Sequence, residues 1–255
     1  MVIANLPLHV LVLIAIAGLY AGIQNALAGG GSFVTFPALL LAGLNPLAAN
    51  MTSTIALFPS QIANAVAGRE LASGVAGVKF RGLFIVSLIG GVVGAILLLS
   101  TPVSTFSNMV PWLVLFATAA FAWGSFGLKP KAEGDGAHLS NTAILVIQGL
   151  ISIYGGYFGG GIGFLMLAAL TIGGQQVRAA SATKNALVMI INLSAVVIFA
   201  FSPMVNWAAV IALGAGGMLG GFIGSWLIVR LPEKMLRGFV VFIGVILTIW
   251  LFVRA

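Results

Sequence analysis

The chain has 255 residues, of which 61% are hydrophobic and 6% are charged, and it contains no cysteine. A soluble domain carries about 25% charged residues, so this composition excludes an ordinary water-soluble fold and predicts a lipid bilayer as the surroundings. The net charge of +7 comes from basic residues in short loops. This distribution is typical of cytoplasmic loops of membrane proteins, and we expect no nucleic-acid partner.

Ten apolar segments follow one another along the chain, and each is a candidate membrane element. Five of them lie at 6–28, 33–44, 47–67, 80–100 and 106–126, and five lie at 142–158, 163–173, 179–201, 207–229 and 235–253. The polar stretch between the two sets contains Pro130 and Asp135, which predicts a linker. The predicted organisation is a first transmembrane repeat at 1–128, a cytoplasmic linker at 129–141 and a second transmembrane repeat at 142–255.

The second segment of each half is unusually short. About 12 residues of helix cover about 18 Å of a hydrocarbon core that is about 30 Å thick. These two segments are therefore predicted to be half-helices or re-entrant pieces.

The two halves also repeat a set of motifs in the same order. The spacing is 131 residues, from Ala49 to Ala180, in the best-matched motif. The matched stretches are 29–33 with 159–164, which has one extra residue, 49–54 with 180–185, and 90–94 with 220–224.

Loop charges indicate that the halves are inverted. The loop after the third segment carries Arg69, Lys79 and Arg81, whereas the equivalent loop at 202–206 has no charge. The bias reverses after the fourth segment, where 101–110 is uncharged and the equivalent loop contains Arg230 and Lys234. By the positive-inside rule, equivalent loops face opposite sides, the linker is cytoplasmic and both termini lie outside.

Inverted repeats with short, glycine-interrupted segments are typical of secondary transporters, whose sites lie near the midplane at the helix breaks. Here the breaks are at 29–31 and 159–161. Helix N-termini at such breaks favour anions. Close helix packing is the alternative reading of the glycines. The predicted substrate-binding residues at the breaks are Gly30, Gly31, Ser32, Gly160 and Gly161.

A polar cluster begins the third segment of each half and could coordinate anion oxygens. Helix N-capping is the alternative role for such side chains. The predicted binding residues are Asn50, Thr52 and Ser53 in the first half and Ser181, Thr183, Lys184 and Asn185 in the second. Further buried amides are expected to form interhelical hydrogen bonds. They are Gln24, Asn25, Gln61, Asn64, Gln148 and Asn192.

No apolar segment contains a central carboxylate, a group that proton relays and cation sites in membranes commonly use. The sequence has no metal motif, phosphate-binding loop or pairing of nucleophile and base. We therefore expect neither an enzyme nor a cofactor.

The motifs at 29–37 and 49–54, together with those at 159–163 and 182–185, resemble the signatures of the TauE/SafE sulfite exporter family. The resemblance covers nearly the whole chain. It implies a multi-pass protein of the bacterial cytoplasmic membrane that transports sulfur-containing anions such as sulfite, sulfoacetate, sulfolactate or thiosulfate.

The resulting hypothesis is an all-α polytopic membrane protein of two inverted repeats that acts as a secondary transporter of a small sulfur-containing anion. The anion is expected between the two glycine breaks, and one repeat is expected to rock against the other. An anion channel and a transporter of a non-sulfur organic anion remain alternatives. The exact substrate, direction, coupling ion and oligomeric state stay open.

Overall fold

The computed structural model describes residues 6–27, 30–127, 140–227 and 233–254, and this part of the chain is built from helices. The predicted all-α class is confirmed. Most of the predicted linker and residues 1–5, 28–29, 228–232 and 255 lie outside the described residues. The α-helices are α1 (Leu8–Leu27), α2 (Ser32–Leu41), α3 (Pro46–Ala67), α4 (Phe80–Ser100), α5 (Val103–Ala122), α6 (Asn141–Tyr157), α7 (Ile162–Ile172), α8 (Val177–Phe199), α9 (Trp207–Leu227) and α10 (Glu233–Arg254).

Five stretches of the described helices are long and apolar enough to cross a membrane. They are Leu8–Asn25, Phe80–Ser100, Val103–Ala122, Val177–Phe199 and Trp207–Gly224. Large apolar side chains such as Phe201, Phe222 and Ile211 point outward, at 86%, 75% and 70% exposure. Such a surface is unsuited to water but suits lipid, so the chain is a polytopic membrane protein.

The short second helix of each half is also present. α2 has 10 residues and α7 has 11, so each rises only about 15–17 Å. Both end at a left-handed glycine, Gly43 with φ 93° and Gly174 with φ 91°. The next residue then bonds back into the helix, Leu44 N–H to the Leu39 carbonyl at 3.1 Å and Gln175 N–H to the Leu170 carbonyl at 3.0 Å. This helix ending satisfies the last carbonyls.

Helix α3 begins at Pro46, four residues before the first residue of its polar cluster, Asn50. Asn45 caps the helix by accepting a hydrogen bond of 2.9 Å from the Ala48 N–H, and Pro46 occupies the first helical position. Asn50, Thr52 and Ser53 therefore lie within the helix and are buried. N-capping as an explanation of this cluster is wrong, because Asn45 already fills that role.

Two pairs of helices pack through glycine at backbone contact. On α1 and α9, a Cβ at Gly18 would meet the Leu213 carbonyl, and one at Gly220 would meet the Leu19 carbonyl. On α4 and α6, a Cβ at Gly94 would meet the Ile153 carbonyl. The contacts advance along both helices in the same direction, so each pair is parallel. Small residues allow this close approach within a bilayer.

Both glycine pairs join helices from different halves of the chain. α1 of the first half packs on α9 of the second, and α6 of the second half packs on α4 of the first. α1 and α6 are the first helices of the two halves, and α4 and α9 are the fourth. Each pair therefore joins the first helix of one half to the fourth helix of the other, and α3 packs on its equivalent helix, α8. This pattern supports two related halves, while their inversion across the membrane stays a prediction.

We expect Gly220→Ala to lower the free energy of unfolding by about 1–3 kcal/mol, because the added methyl group overpacks the α1–α9 contact. Gly221→Ala is the matched control, since a Cβ there meets no atom within 4 Å. Thermal unfolding in detergent measures both. Equal losses of stability in the two variants would contradict the glycine contact.

Candidate functional site

A cavity of about 130 Å³ opens between α2, α3, α7 and α8. Single residues of α1, α5 and α10 complete its wall, namely Asn25, Val114 and Leu247. The cavity thus lies where the two short helices meet the two helices that follow them, as the repeat pattern predicts for a binding site.

Two equivalent glycine turns form one side of this cavity. Gly30 has φ 80° and Gly161 has φ 74°, a left-handed conformation that favours glycine. Their separation matches the 131-residue spacing of the polar cluster, so the structure pairs Gly30 with Gly161. It also pairs Phe33 with Phe164, as the sequence alignment does. Gly29 of the first break lies outside the described residues.

Side chains hold both turns in place. The Gly31 N–H donates to Asn25 Oδ1 at 2.7 Å, and Gln24 Nε2 donates to the Gly30 carbonyl at 3.2 Å. In the second turn, the Tyr154 hydroxyl donates to the Gly160 carbonyl at 2.7 Å. These bonds replace the helical partners that the backbone loses at each break.

The N-termini of α2 and α7 both face the cavity. The first amide N–H groups of a helix have no partner within it. In the described residues, the Ser32 and Gly163 N–H groups donate to no protein acceptor, and both residues line the cavity. Two positive ends of helix dipoles therefore converge on one space.

The facing helices α3 and α8 present matched residues to the cavity. The equivalent positions are Ser53 with Lys184, Thr54 with Asn185, Leu57 with Val188 and Gln61 with Asn192, and all of them line the cavity. The first pair breaks the symmetry, because it sets a hydroxyl against an ammonium group. The Ser53 hydroxyl is 2.6 Å from the Thr35 hydroxyl.

Lys184 lies beside the N-terminus of α7. A Cβ on Gly163 would be 3.7 Å from Lys184 Cδ, which places the lysine stem along the first helical turn. A cation near the positive end of a helix dipole is electrostatically unfavourable. A negatively charged ligand in the cavity would be attracted by both the helix N-terminus and the lysine charge.

Aromatic rings close the side of the cavity behind the turns. Phe121 packs between the equivalent residues Phe33 and Phe164, with ring centroids 5.8 Å and 3.9 Å away. Phe36 meets Phe158 at 5.7 Å. This wall is apolar, so the polar contacts available to a ligand come from the turns and from α3 and α8.

The structure brings most of the predicted site residues together. Those that line the cavity are Gly30, Gly31, Ser32, Asn50, Ser53, Gly160, Gly161, Lys184 and Asn185. Thr52, Ser181 and Thr183 are not among the lining residues. Thr52 accepts a hydrogen bond from the Asn206 N–H at 3.2 Å, and Thr183 accepts one from the Ser73 N–H at 3.0 Å.

Several lining residues were not predicted to bind a ligand. Asn25, Gln61, Asn64 and Asn192 are predicted to face protein or a cavity, with interhelical hydrogen bonds as the favoured role, and they line the cavity. Gln61 Oε1 is buried and accepts no hydrogen bond within the described residues. A sequence signal for two of them exists: Gln61 and Asn192 are separated by 131 residues, the same spacing as Ala49 and Ala180 in the repeated motif.

A cavity lined by both polar and apolar groups at two broken helices, inside a bundle with an apolar exterior, is typical of membrane transporters. A family model described as "Sulfite exporter TauE/SafE" matches residues 14–251. The chain belongs to the TauE/SafE family, which is a family of membrane transporters.

Relatives named as probable membrane transporters match over nearly their full length. A protein from Sinorhizobium named "Probable membrane transporter protein ORF9" is 32% identical over 96% of this chain and 93% of its own. A "Probable membrane transporter protein" of Haemophilus influenzae is 27% identical over 96% and 95%. YfcA of Escherichia coli K12, also named a probable membrane transporter protein, is 26% identical over 95% and 89%. No solved structure matches the chain.

We expect Gly161→Ala to destabilise the second turn by about 1–2 kcal/mol, because an L side chain is strained in the left-handed conformation. Gly163→Ala is the control, since Gly163 lacks a positive φ and its nearest contact would be the ordinary 3.7 Å approach to Lys184. Thermal unfolding without added anions compares them. A Gly163→Ala variant as unstable as Gly161→Ala would argue against backbone strain.

Proposed function

We propose that this protein is a secondary transporter of small sulfur-containing anions, such as sulfite or an organosulfonate, across the cytoplasmic membrane. The observation that carries the proposal is the meeting of two helix N-termini with Lys184 at one cavity. The lining residues that the structure describes include no carboxylate. The electrostatic character of this wall is therefore positive.

Three donors of two kinds would contact the anion. The Ser32 and Gly163 N–H groups offer backbone donors from opposite helices, and Lys184 offers a charged one. Hydrogen bonds to charged partners contribute about 1.5–3 kcal/mol each, more than neutral ones. Asn50 is already engaged, since its Nδ2 donates to the Tyr157 carbonyl at 3.1 Å. Thr52, Ser181 and Thr183 are left out of the proposed contact set.

A cluster of N–H groups and an ammonium group would accept a carboxylate as well as a sulfonate. The proposal that the substrate contains sulfur is therefore supported by the family name. The sulfonate and sulfite groups present several oxygens in a compact tetrahedral or pyramidal head. Such a head can accept donors from two facing helices at once. The transport mode is supported by the repeated, glycine-broken helices, which typify alternating access.

The proposed orientation places both termini outside. It is supported by Arg69, Lys79 and Arg81, which surround one connection between helices and mark it as cytoplasmic. A coupling ion and an oligomeric state form no part of the proposal.

We expect Lys184→Met to weaken binding of the preferred anion about 10- to 100-fold, because it removes one charged hydrogen bond. Lys79→Met is the matched control, since Lys79 is exposed at the start of α4 and does not line the cavity. Thermal-shift titration of purified protein measures both variants, because a bound anion stabilises the folded state.

The titration compares sulfite, sulfate, thiosulfate, sulfoacetate and taurine with plain carboxylates. A shift with a sulfur anion that disappears in Lys184→Met and persists in Lys79→Met supports the substrate class and the site. A larger shift with carboxylates would point to a non-sulfur organic anion. In proteoliposomes, flux without saturation would reject a transporter in favour of a channel.

A further inference from the structure

Thr52 and Thr183 occupy equivalent positions and make equivalent contacts away from the cavity. Both are fully buried, at 0% exposure. Thr52 Oγ1 accepts the Asn206 N–H at 3.2 Å. Thr183 Oγ1 accepts the Ser73 N–H at 3.0 Å and Gln175 Nε2 at 2.9 Å. We call these contacts the Thr52 latch and the Thr183 latch.

Each latch ties one of the α3 and α8 helices to a chain segment of the other half. Asn206 directly precedes α9, where its side chain accepts a hydrogen bond of 3.0 Å from the Ala209 N–H. Ser73 lies in the connection that leads into α4. The Thr52 latch therefore holds the start of α9 to α3, and the Thr183 latch holds the connection that precedes α4 to α8.

The glycine contacts decide which parts of the molecule can move together. Because α1 and α9 touch at backbone distance, as do α4 and α6, rocking one half of the sequence against the other would shear both pairs. Close-packed interfaces do not deform continuously. Each glycine pair, which contains one helix from either half, is therefore expected to stay together when the protein changes conformation.

The two latches lie at opposite ends of the cavity. Gly68 follows the end of α3, and a Cβ there would be 3.2 Å from the Ala182 Cβ, next to Thr183. The helical path from Thr52 to Gly68 rises about 24 Å. The residues of α3 that line the cavity run from Asn50 to Asn64, so the cavity extends from beside the Thr52 latch toward the Thr183 latch.

We propose that each threonine latch holds one end of the cavity closed. The inference rests on the proposed transport function. Thr52 and Thr183 are positioning residues, each one peptide unit from a cavity residue, Ser53 or Lys184. When anion binding displaces Ser53 or Lys184, the adjacent threonine in the same helix is displaced as well, which strains its hydrogen bond.

The absence of cysteine from the sequence permits a labelling test without background. Val188, which lines the cavity, is changed to Cys as the reporter. A membrane-impermeant maleimide is then applied to spheroplasts and to inverted vesicles, with no substrate present. We expect Thr183→Val to raise the labelling rate only from the side on which α4 begins. Thr52→Val should raise it only from the side on which α9 begins. The expected increase is about 2- to 10-fold, the effect of losing one hydrogen bond.

Two controls separate a latch from general loosening. Thr→Ser at either position keeps the hydroxyl and should restore the parent labelling rates. Thr248→Val removes a buried threonine that bonds only within its own helix, to the Gly244 carbonyl at 2.7 Å, and should leave both rates unchanged. Rates that stay at the parent value in both Thr→Val variants, or that rise equally from both sides, overturn the proposal. Because no substrate is added, a wrong substrate assignment would not affect the result.

Discussion

A backbone N–H or carbonyl inside a lipid bilayer has no water to bond, and the whole site depends on how two chain breaks meet this constraint. The Gly30 and Gly161 turns interrupt the helical ladder within the bundle. Asn25 and Gln24 supply partners at the first turn, and Tyr154 supplies one at the second. In the described residues, the N–H groups without a protein acceptor include those of Ser32 and Gly163, and both residues line the cavity, where a ligand could satisfy them.

The two cavity walls, formed by α3 and α8, are similar but not identical. The paired positions of α3 and α8 carry related side chains, because equivalent helices pack beside equivalent turns. Ser53 and Lys184 differ, and the difference gives one wall a charge that the other lacks. A ligand in this cavity would therefore be held off-centre, closer to α7 and α8. Equivalent residues of the two repeats form both walls of the cavity, and the difference between Ser53 and Lys184 makes the two walls electrostatically unequal.

The sequence predicts the helical class, the short second helices and most of the cavity lining, since length, apolar runs and repeated motifs report on these directly. It does not predict that Thr52 and Thr183 bond to backbone in distant connections. Repetition shows that two residues are equivalent but not which way they face. Asn50 and Ser53 face the cavity while Thr52, between them in sequence, does not. The cap at Asn45 is likewise invisible until the true start of α3 is known.

The parallel α1–α9 contact bears on how the protein is made. α1 is synthesised well before α9, so its glycine-lined face meets this partner only after the seven helices between them have been made. Until then that face must be covered by lipid or by an insertion chaperone. The first half alone therefore lacks the helix on which α1 packs through glycine, and this contact can form only after the second half is inserted.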